Sequence, residues 1–258
     1  MTGSASGSNS SKALLQAKDL EIRFGGVIAA SGINIEIMEH RNLAIIGPNG
    51  AGKTTFLNMC TGYLKPKAGT ILFDGEDVTG IAPRKLVRKG VARAFQIPQL
   101  FTEHTVLENM LMAGAAQARN WAPLTRIDRI SQRADVAHLL DMVRCAHLAD
   151  RRVSELPEGQ RKLIDIALAL ALKPRLLFMD EPTSGVASSE KFEVLEIISG
   201  ALQEAKVTAV FVEHDMGIVE RFADEVAVWN RGNVLFRGAP DDILNHPDVI
   251  RDVIGEEL

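Results

Sequence analysis

Apolar and polar residues alternate over residues 13–19 and again over 33–37, which predicts two half-buried strands. Arg23-Phe24-Gly25-Gly26 supplies a turn between them. Residues 42–46 (Asn-Leu-Ala-Ile-Ile) read as a buried strand and 54–63 as a helix. A short strand over 71–73 ends at the turn Asp74-Gly75, and another covers 91–95. Residues 105–117 predict a helix, with Thr105 and Glu108 spaced as a capping box. The stretch 119–123 breaks it. Residues 130–145 have helical period, with Val136, Leu139, Leu140 and Val143 on one face. A helix over 158–172 stops before Lys173-Pro174. The continuous apolar runs 176–179 and 208–212 are strands buried on both faces, separated by an amphipathic helix over 189–204. Residues 226–229 and 234–236 form a hairpin through Arg231-Gly232-Asn233, and 240–254 reads as short helices with Asp241 as N-cap.

The order is β-rich, then helical, then strand-helix-strand. It predicts an α/β core with an N-terminal antiparallel β subdomain and an inserted helical subdomain at about 97–172. A domain over 13–258 follows, closing with short helices at about 240–258. Residues 1–12 are rich in Ser and Gly without an apolar core, so they read as a disordered leader and not a signal peptide.

Composition narrows the partners. A net charge of -4 lacks the basic face that nucleic acid demands. No apolar run reaches the roughly 18 residues of a membrane span. The longest, 163–172, is interrupted by Asp165. Cys60 and Cys145 lie far apart and match no metal spacing, so they read as buried thiols.

The chemistry starts at Gly47-Pro48-Asn49-Gly50-Ala51-Gly52-Lys53-Thr54-Thr55, which fits the phosphate-loop pattern G-x-x-x-x-G-K-[ST]. The glycines let main-chain N–H groups approach a phosphate, and the helix that follows adds its positive end. Lys53 supplies charge for the β- and γ-phosphates, and the Thr54 hydroxyl is a Mg²⁺ ligand candidate. A nucleoside triphosphate is therefore expected. Residues 176–181 form an apolar strand ending in Asp180-Glu181. Such an Asp can hold Mg²⁺, and the adjacent Glu can polarise water for in-line attack. Apolar-run-then-Asp-Glu is common; the phosphate loop upstream gives it meaning. Gln96, after a strand, can reach the metal or its water. His214, after residues 208–212, can bond a γ-phosphate. Alone, each would be an ordinary loop residue, and Phe24 an ordinary core aromatic. No Asn-Lys-x-Asp motif supports a GTPase, and a kinase has no use for the acidic strand with a downstream His.

In order, Phe24, the phosphate loop, Gln96, Leu156-Pro157-Glu158-Gly159-Gln160, Asp180-Glu181 and His214 resemble the ATP-binding subunit of ABC transporters, from about residue 14 onward. The resemblance implies a P-loop ATPase fold, ATP and Mg²⁺, and an aromatic adenine platform at Phe24. It implies a metal- and coupling-linked Gln96, a signature over 156–160 that contacts nucleotide through Pro157, Glu158, Gly159 and Gln160, a general base at Glu181 and a switch histidine at His214. Arg23-Phe24-Gly25-Gly26, residues 94–101, Thr105-Val106-Leu107-Glu108-Asn109, Val212-Glu213-His214-Asp215-Met216 and Gly238-Ala239-Pro240 are similar to the larger ATPase subunit of branched-chain amino acid importers. That implies a second ATPase subunit, membrane permeases, an indirectly linked periplasmic binding protein, and a peripheral place on the cytoplasmic face of the inner membrane. Urea and amide importers share these features. A lipopolysaccharide exporter ATPase and a soluble ABC-type ATPase are the other readings. The sequence departs from Leu-Ser-Gly-Gly-Gln at Pro157 and Glu158. It also lacks an aspartate in Ser184-Gly185-Val186-Ala187, which bears on communication between nucleotide sites.

Overall fold

A computed structural model describes residues 12–117 and 130–251. The expected leader up to residue 11, the break at 119–123 and the chain beyond 251 lie outside the described residues.

Strands β1 (Ala13–Phe24) and β2 (Val27–Met38) form a long antiparallel hairpin. Both run further than the alternation predicts. The pairing register shifts between Ala17 and Leu20, where Asp19 takes a left-handed φ of 50°. Asn34 caps that bulge, accepting from the Asp19 N–H at 3.1 Å and donating to the Asp19 carboxylate at 2.8 Å. A bulge resets which residues face inward, so the period-2 signal stops there while the strand continues.

Next come β3 (Leu43–Ile46), α1 (Lys53–Cys60), β4 (Ala68–Phe73), β5 (Glu76–Asp77), α2 (Pro83–Lys89) and β6 (Val91–Ala94). Helices α3 (Val106–Gln117), α4 (Ile130–Met142) and α5 (Glu158–Ala171) follow, then β7 (Leu176–Asp180), α6 (Lys191–Glu204), β8 (Thr208–Val212) and α7 (Met216–Phe222). The hairpin β9 (Glu225–Asn230) and β10 (Asn233–Gly238), with α8 (Pro240–Leu244) and α9 (Pro247–Val249), completes the described chain. The predicted capping box at α3 is present: Thr105 Oγ1 accepts from the Glu108 N–H at 3.1 Å and Glu108 accepts from the Thr105 N–H at 2.8 Å. Helix α2 has no sequence signal because it buries only Leu86. The N-cap of α8 is Ala239, not Asp241, since Pro240 fills the first helical position where no N–H is needed.

The strands make a four-stranded antiparallel sheet, β2-β1-β4-β5, and a six-stranded sheet, β10-β9-β3-β8-β7-β6, parallel except for β10. The six-stranded sheet is covered on both faces. Leu43, Ile45, Phe178, Val210 and Val212 face α1 and the first sheet. Ala44, Ile46, Met179, Ala209 and Phe211 face α3 to α6. That two-sided burial is why β3, β7 and β8 read as unbroken apolar runs.

Candidate functional site

Parallel strands β3, β8, β7 and β6 lie side by side, so their carboxyl ends open on one edge of the sheet. The chain leaves that edge at Gly47 after β3, at Glu213-His214 after β8, at Glu181 after β7 and at Phe95-Gln96 after β6. Residues 166 positions apart in sequence become neighbours there, the usual place for a ligand in an open α/β sheet.

The phosphate loop is shaped partly by its own protein. A Cβ on Gly47 (φ 145°) would sit 2.1 Å from the Trp229 carbonyl oxygen, and one on Gly52 (φ 102°) 2.3 Å from that of Ala29. Those two glycines are required by the fold before any phosphate arrives. Gly50 (φ 79°) has open space around it and needs glycine only for its left-handed backbone. The β9–β10 turn braces the loop through the Gly232 N–H on the Ala51 carbonyl at 2.8 Å. Helix α1 starts at Lys53 with no side-chain cap, leaving first-turn N–H groups for an anion. Lys53 is buried and folds back on the carbonyls of Gly47 and Pro48.

Asp180, buried at the end of β7, has two differently engaged oxygens. Oδ1 lies 3.5 Å from Thr54 Oγ1, and Oδ2 accepts from Arg93 Nη2 at 2.8 Å. The hydroxyl and carboxylate oxygens are hard donors that fit Mg²⁺. Arg93 reaches from β6, also holds Asn58 of α1, and lies over the Phe95 ring at 4.9 Å. One step further along, Glu181 adopts φ 49°, rare for a non-glycine residue and a form of strain found at functional sites. Its carboxylate gathers two other candidates: Gln96 Nε2 donates to Oε2 at 2.6 Å, and His214 Nε2 stands 3.5 Å from Oε1. Gln96, Glu181 and His214 therefore form one cluster, and Thr54 with Asp180 a second at the loop.

Phe24 stands half-exposed at the β1–β2 tip beside Val27, on the hairpin whose Ala29 touches Gly52. Pro157 is the N-cap of α5, with φ -60° and ψ 158°. Glu158 lies 3.9 Å from Arg161 and covers Gly185, and Gly159 packs toward Val186 and Val194. The signature segment is thus seated on the loop that follows Glu181 in its own chain. A cavity of about 520 Å³ lined by Val136, Leu139, Met142, Leu170 and Val207 sits elsewhere, near Lys173-Pro174 before β7, on the opposite edge of the sheet.

The sequence reading missed four charged residues here. Arg93 is the lone charge in the strand Val91–Ala94. Glu213 is buried and accepts from the Thr183 hydroxyl at 2.7 Å, and burial pushes its carboxyl pKa up. Lys162 and Asp165 lie buried on α5. Arg93 and Asp165 interrupt apolar runs, while Lys162 and Glu213 sit among other polar residues, where nothing in the sequence marks them as buried.

A family model described as ABC transporter matches residues 30–184. The chain is 36% identical over 253 residues to the high-affinity branched-chain amino acid transport ATP-binding protein BraF of Pseudomonas aeruginosa, covering 95% of this chain and 99% of that protein. Identity to LivG of Escherichia coli K12, which carries the same description, is also 36% with the same coverage. Among solved structures, the ADP conformation of MJ1267, an ATP-binding cassette of an ABC transporter, superposes with a TM-score of 0.82 at 31% identity, covering 95% of this chain and 99% of that one. A nucleotide-free ATP-binding cassette from an ABC transporter gives 0.80 at 30% identity, covering 93% and 98%.

Proposed function

The chain belongs to the ABC transporter family of ATPases, and from that membership we propose that it hydrolyses ATP to drive import of branched-chain amino acids through separate membrane permeases. The observation that carries the catalytic part is the Glu181 carboxylate, held by Gln96 and His214 at the sheet edge beside the phosphate loop. Identity across nearly the whole of proteins named for branched-chain amino acid transport carries the solute.

In this reading residues 47–55 cradle the phosphates with main-chain N–H groups, and Lys53 turns from the loop carbonyls to the phosphate oxygens. Phe24 supports the adenine by stacking. Thr54 and Asp180, with Gln96 nearby, would hold Mg²⁺. When bound, the ion neutralises charge between the β- and γ-phosphates. Glu181 accepts the proton of the attacking water, and His214 orients the γ-phosphate. Loss of a general base costs about 10²–10⁴-fold. Glu181→Gln is therefore expected to bind ATP normally in a direct titration while its turnover falls by that factor. Turnover within a few-fold of wild type removes Glu181 from the role. For the solute, cells lacking this chain should lose uptake of labelled leucine and regain it with wild type but not with Glu181→Gln. Loss of urea or amide uptake instead would reassign the solute.

The working unit is a pair of unlike ATPase subunits at the cytoplasmic face of the membrane, served indirectly by a periplasmic binding protein. Each nucleotide is held between one phosphate loop and the other subunit's signature. Pro157 brings no N–H to such a contact. A Glu158 carboxylate at about 4 Å from a γ-phosphate would repel it by about 4 kcal/mol at an effective dielectric of 20. The Arg161 pairing and the cover over Gly185 support a Glu158 turned along its own chain, which softens the penalty. The site using this chain's phosphate loop is then the faster one, and Glu181→Gln here harms transport more than the matching change in the partner.

A further inference from the structure

Helix α5 begins with the signature segment, and one turn in it carries a buried cation. Lys162 is 3% exposed. Its ammonium donates to the main-chain carbonyl of Gln96 and, at 3.3 Å, to that of Glu181. These two residues lie 85 positions apart, just past the ends of β6 and β7, and are the pair whose side chains already meet at 2.6 Å. One cation therefore holds the backbones of both partners in the candidate catalytic contact. Three residues along the same face, the buried Asp165 carboxylate faces the main-chain N–H groups of Phe95 and Gln99, while its Oδ2 finds no hydrogen-bond partner among the described residues. The Gln96 segment is held through its carbonyl by Lys162, and the flanking N–H groups of Phe95 and Gln99 face Asp165. At its first residue the helix is also seated on the far side of Glu181, where Glu158 covers Gly185.

Burying an ammonium is costly, and an apolar side chain would pack α5 at less expense. What an apolar residue cannot do is fix two carbonyls at once. The Glu181 backbone is left-handed; its N–H bonds the Val212 carbonyl and its carbonyl accepts from the Ser184 N–H, so Lys162 adds the bond that links it to the Gln96 segment and α5.

We propose that Lys162 is a positioning residue that ties the signature helix to the reacting centre, holding the Gln96 and Glu181 backbones together so that a shift of α5 reaches both side chains at once. This supplies communication between signature and hydrolysis within a chain whose Ser184-Gly185-Val186-Ala187 loop lacks an aspartate. The proposal rests on the reading of Glu181 as the base.

The test uses the full chain assembled with its partner subunits. Lys162→Met keeps the apolar stem and removes the donors. A 1 Å misplacement near the chemistry can cost about 10²-fold, so kcat should fall by about 10–100-fold while KM and directly titrated ATP affinity stay within about threefold. Hydrogen exchange should quicken in peptides covering 95–99 and 181–184 and not in β3 or α1. Lys162→Arg, which keeps a cation with N–H donors, should restore most of the lost kcat and the slow exchange. Unchanged kcat and exchange in Lys162→Met overturn the proposal. So does a loss in which kcat, KM and exchange throughout the protein all change together, which is what a purely structural lysine would give. If Lys162→Met does not fold, Lys162→Gln, with one donor left, reads the same quantities. Glu181→Gln run in parallel separates the two claims. Normal turnover there removes the base assignment, whereas exchange in the Lys162 variants still reports the tie.

Discussion

At the scale of single residues, the charged side chains at the sheet edge are nearly all spoken for by other protein groups. Arg93 and Asp180 show what that costs to disturb. Both side chains are almost fully buried, at 5% and 6% exposure, and bond at 2.8 Å. Removing one partner of a buried pair costs about 3–5 kcal/mol because the other charge stays behind without compensation. Arg93→Ala should lower the melting temperature by about 10 °C in a chain of this size. A change under 2 °C in a thermal melt would show that Asp180 finds another partner. Lys53 is different, because its contacts with the Gly47 and Pro48 carbonyls lie within the loop it serves. Charge-assisted hydrogen bonds contribute about 1.5–3 kcal/mol. Lys53→Ala should weaken ATP binding by about 10–100-fold in a fluorescent-nucleotide titration; unchanged affinity would count against the phosphate-loop assignment.

Among the elements, α5 does most to join the insertion to the catalytic edge, and it carries a pH signature. Burial raises the Asp165 carboxyl pKa to about 6, opposed by the N–H groups of Phe95 and Gln99 and by Lys162. An unfolded Asp titrates near about 3.9. Between about pH 4 and pH 6 the folded chain keeps a proton that the unfolded chain releases. Stability from this group is therefore full at the acid end and is lost as pH rises through about 6, by about 3 kcal/mol. Asp165→Asn has no such proton. The variant should gain on wild type by that amount between pH 4 and pH 7 in urea unfolding. A difference that stays flat with pH would place the Asp165 pKa in the ordinary range. Helix α7 makes a different point about elements. Asp215 caps it through the N–H groups of Gly217 and Ile218, yet at seven residues it is too short for period alone to reveal.

For the whole molecule, the question is where hydrolysis becomes movement. No described helix is long and apolar enough to cross a membrane. The loop after Gln96 exposes Ile97 at 74% and Phe101 at 60%, beside a backbone gripped by α5. We propose these exposed apolar residues, on a loop tied to the site, as the docking patch for the permeases. Cysteines at Ile97 and Phe101 should crosslink to permease subunits in membranes. Crosslinks confined to exposed residues elsewhere, such as Leu235, would move the contact off this loop.

The sequence by itself determined the class of the protein, because its strongest signals are local. Residues 47–55 carry their chemistry in nine consecutive positions, and β3, β7 and β8 announce two-sided burial by unbroken apolar runs. The order of Phe24, Gln96, residues 156–160, Asp180-Glu181 and His214 was legible for the same reason. Only the tertiary structure decided which of these residues touch. Gln96, Glu181 and His214 meet because β6, β7 and β8 are adjacent and parallel, and strand order is not written in any local period. It also decided that Gly47 and Gly52 are needed against Trp229 and Ala29, and that Arg93, Lys162, Asp165 and Glu213 belong to the site. A buried charge is defined by its partners, and here those partners lie between 19 and 87 residues away along the chain.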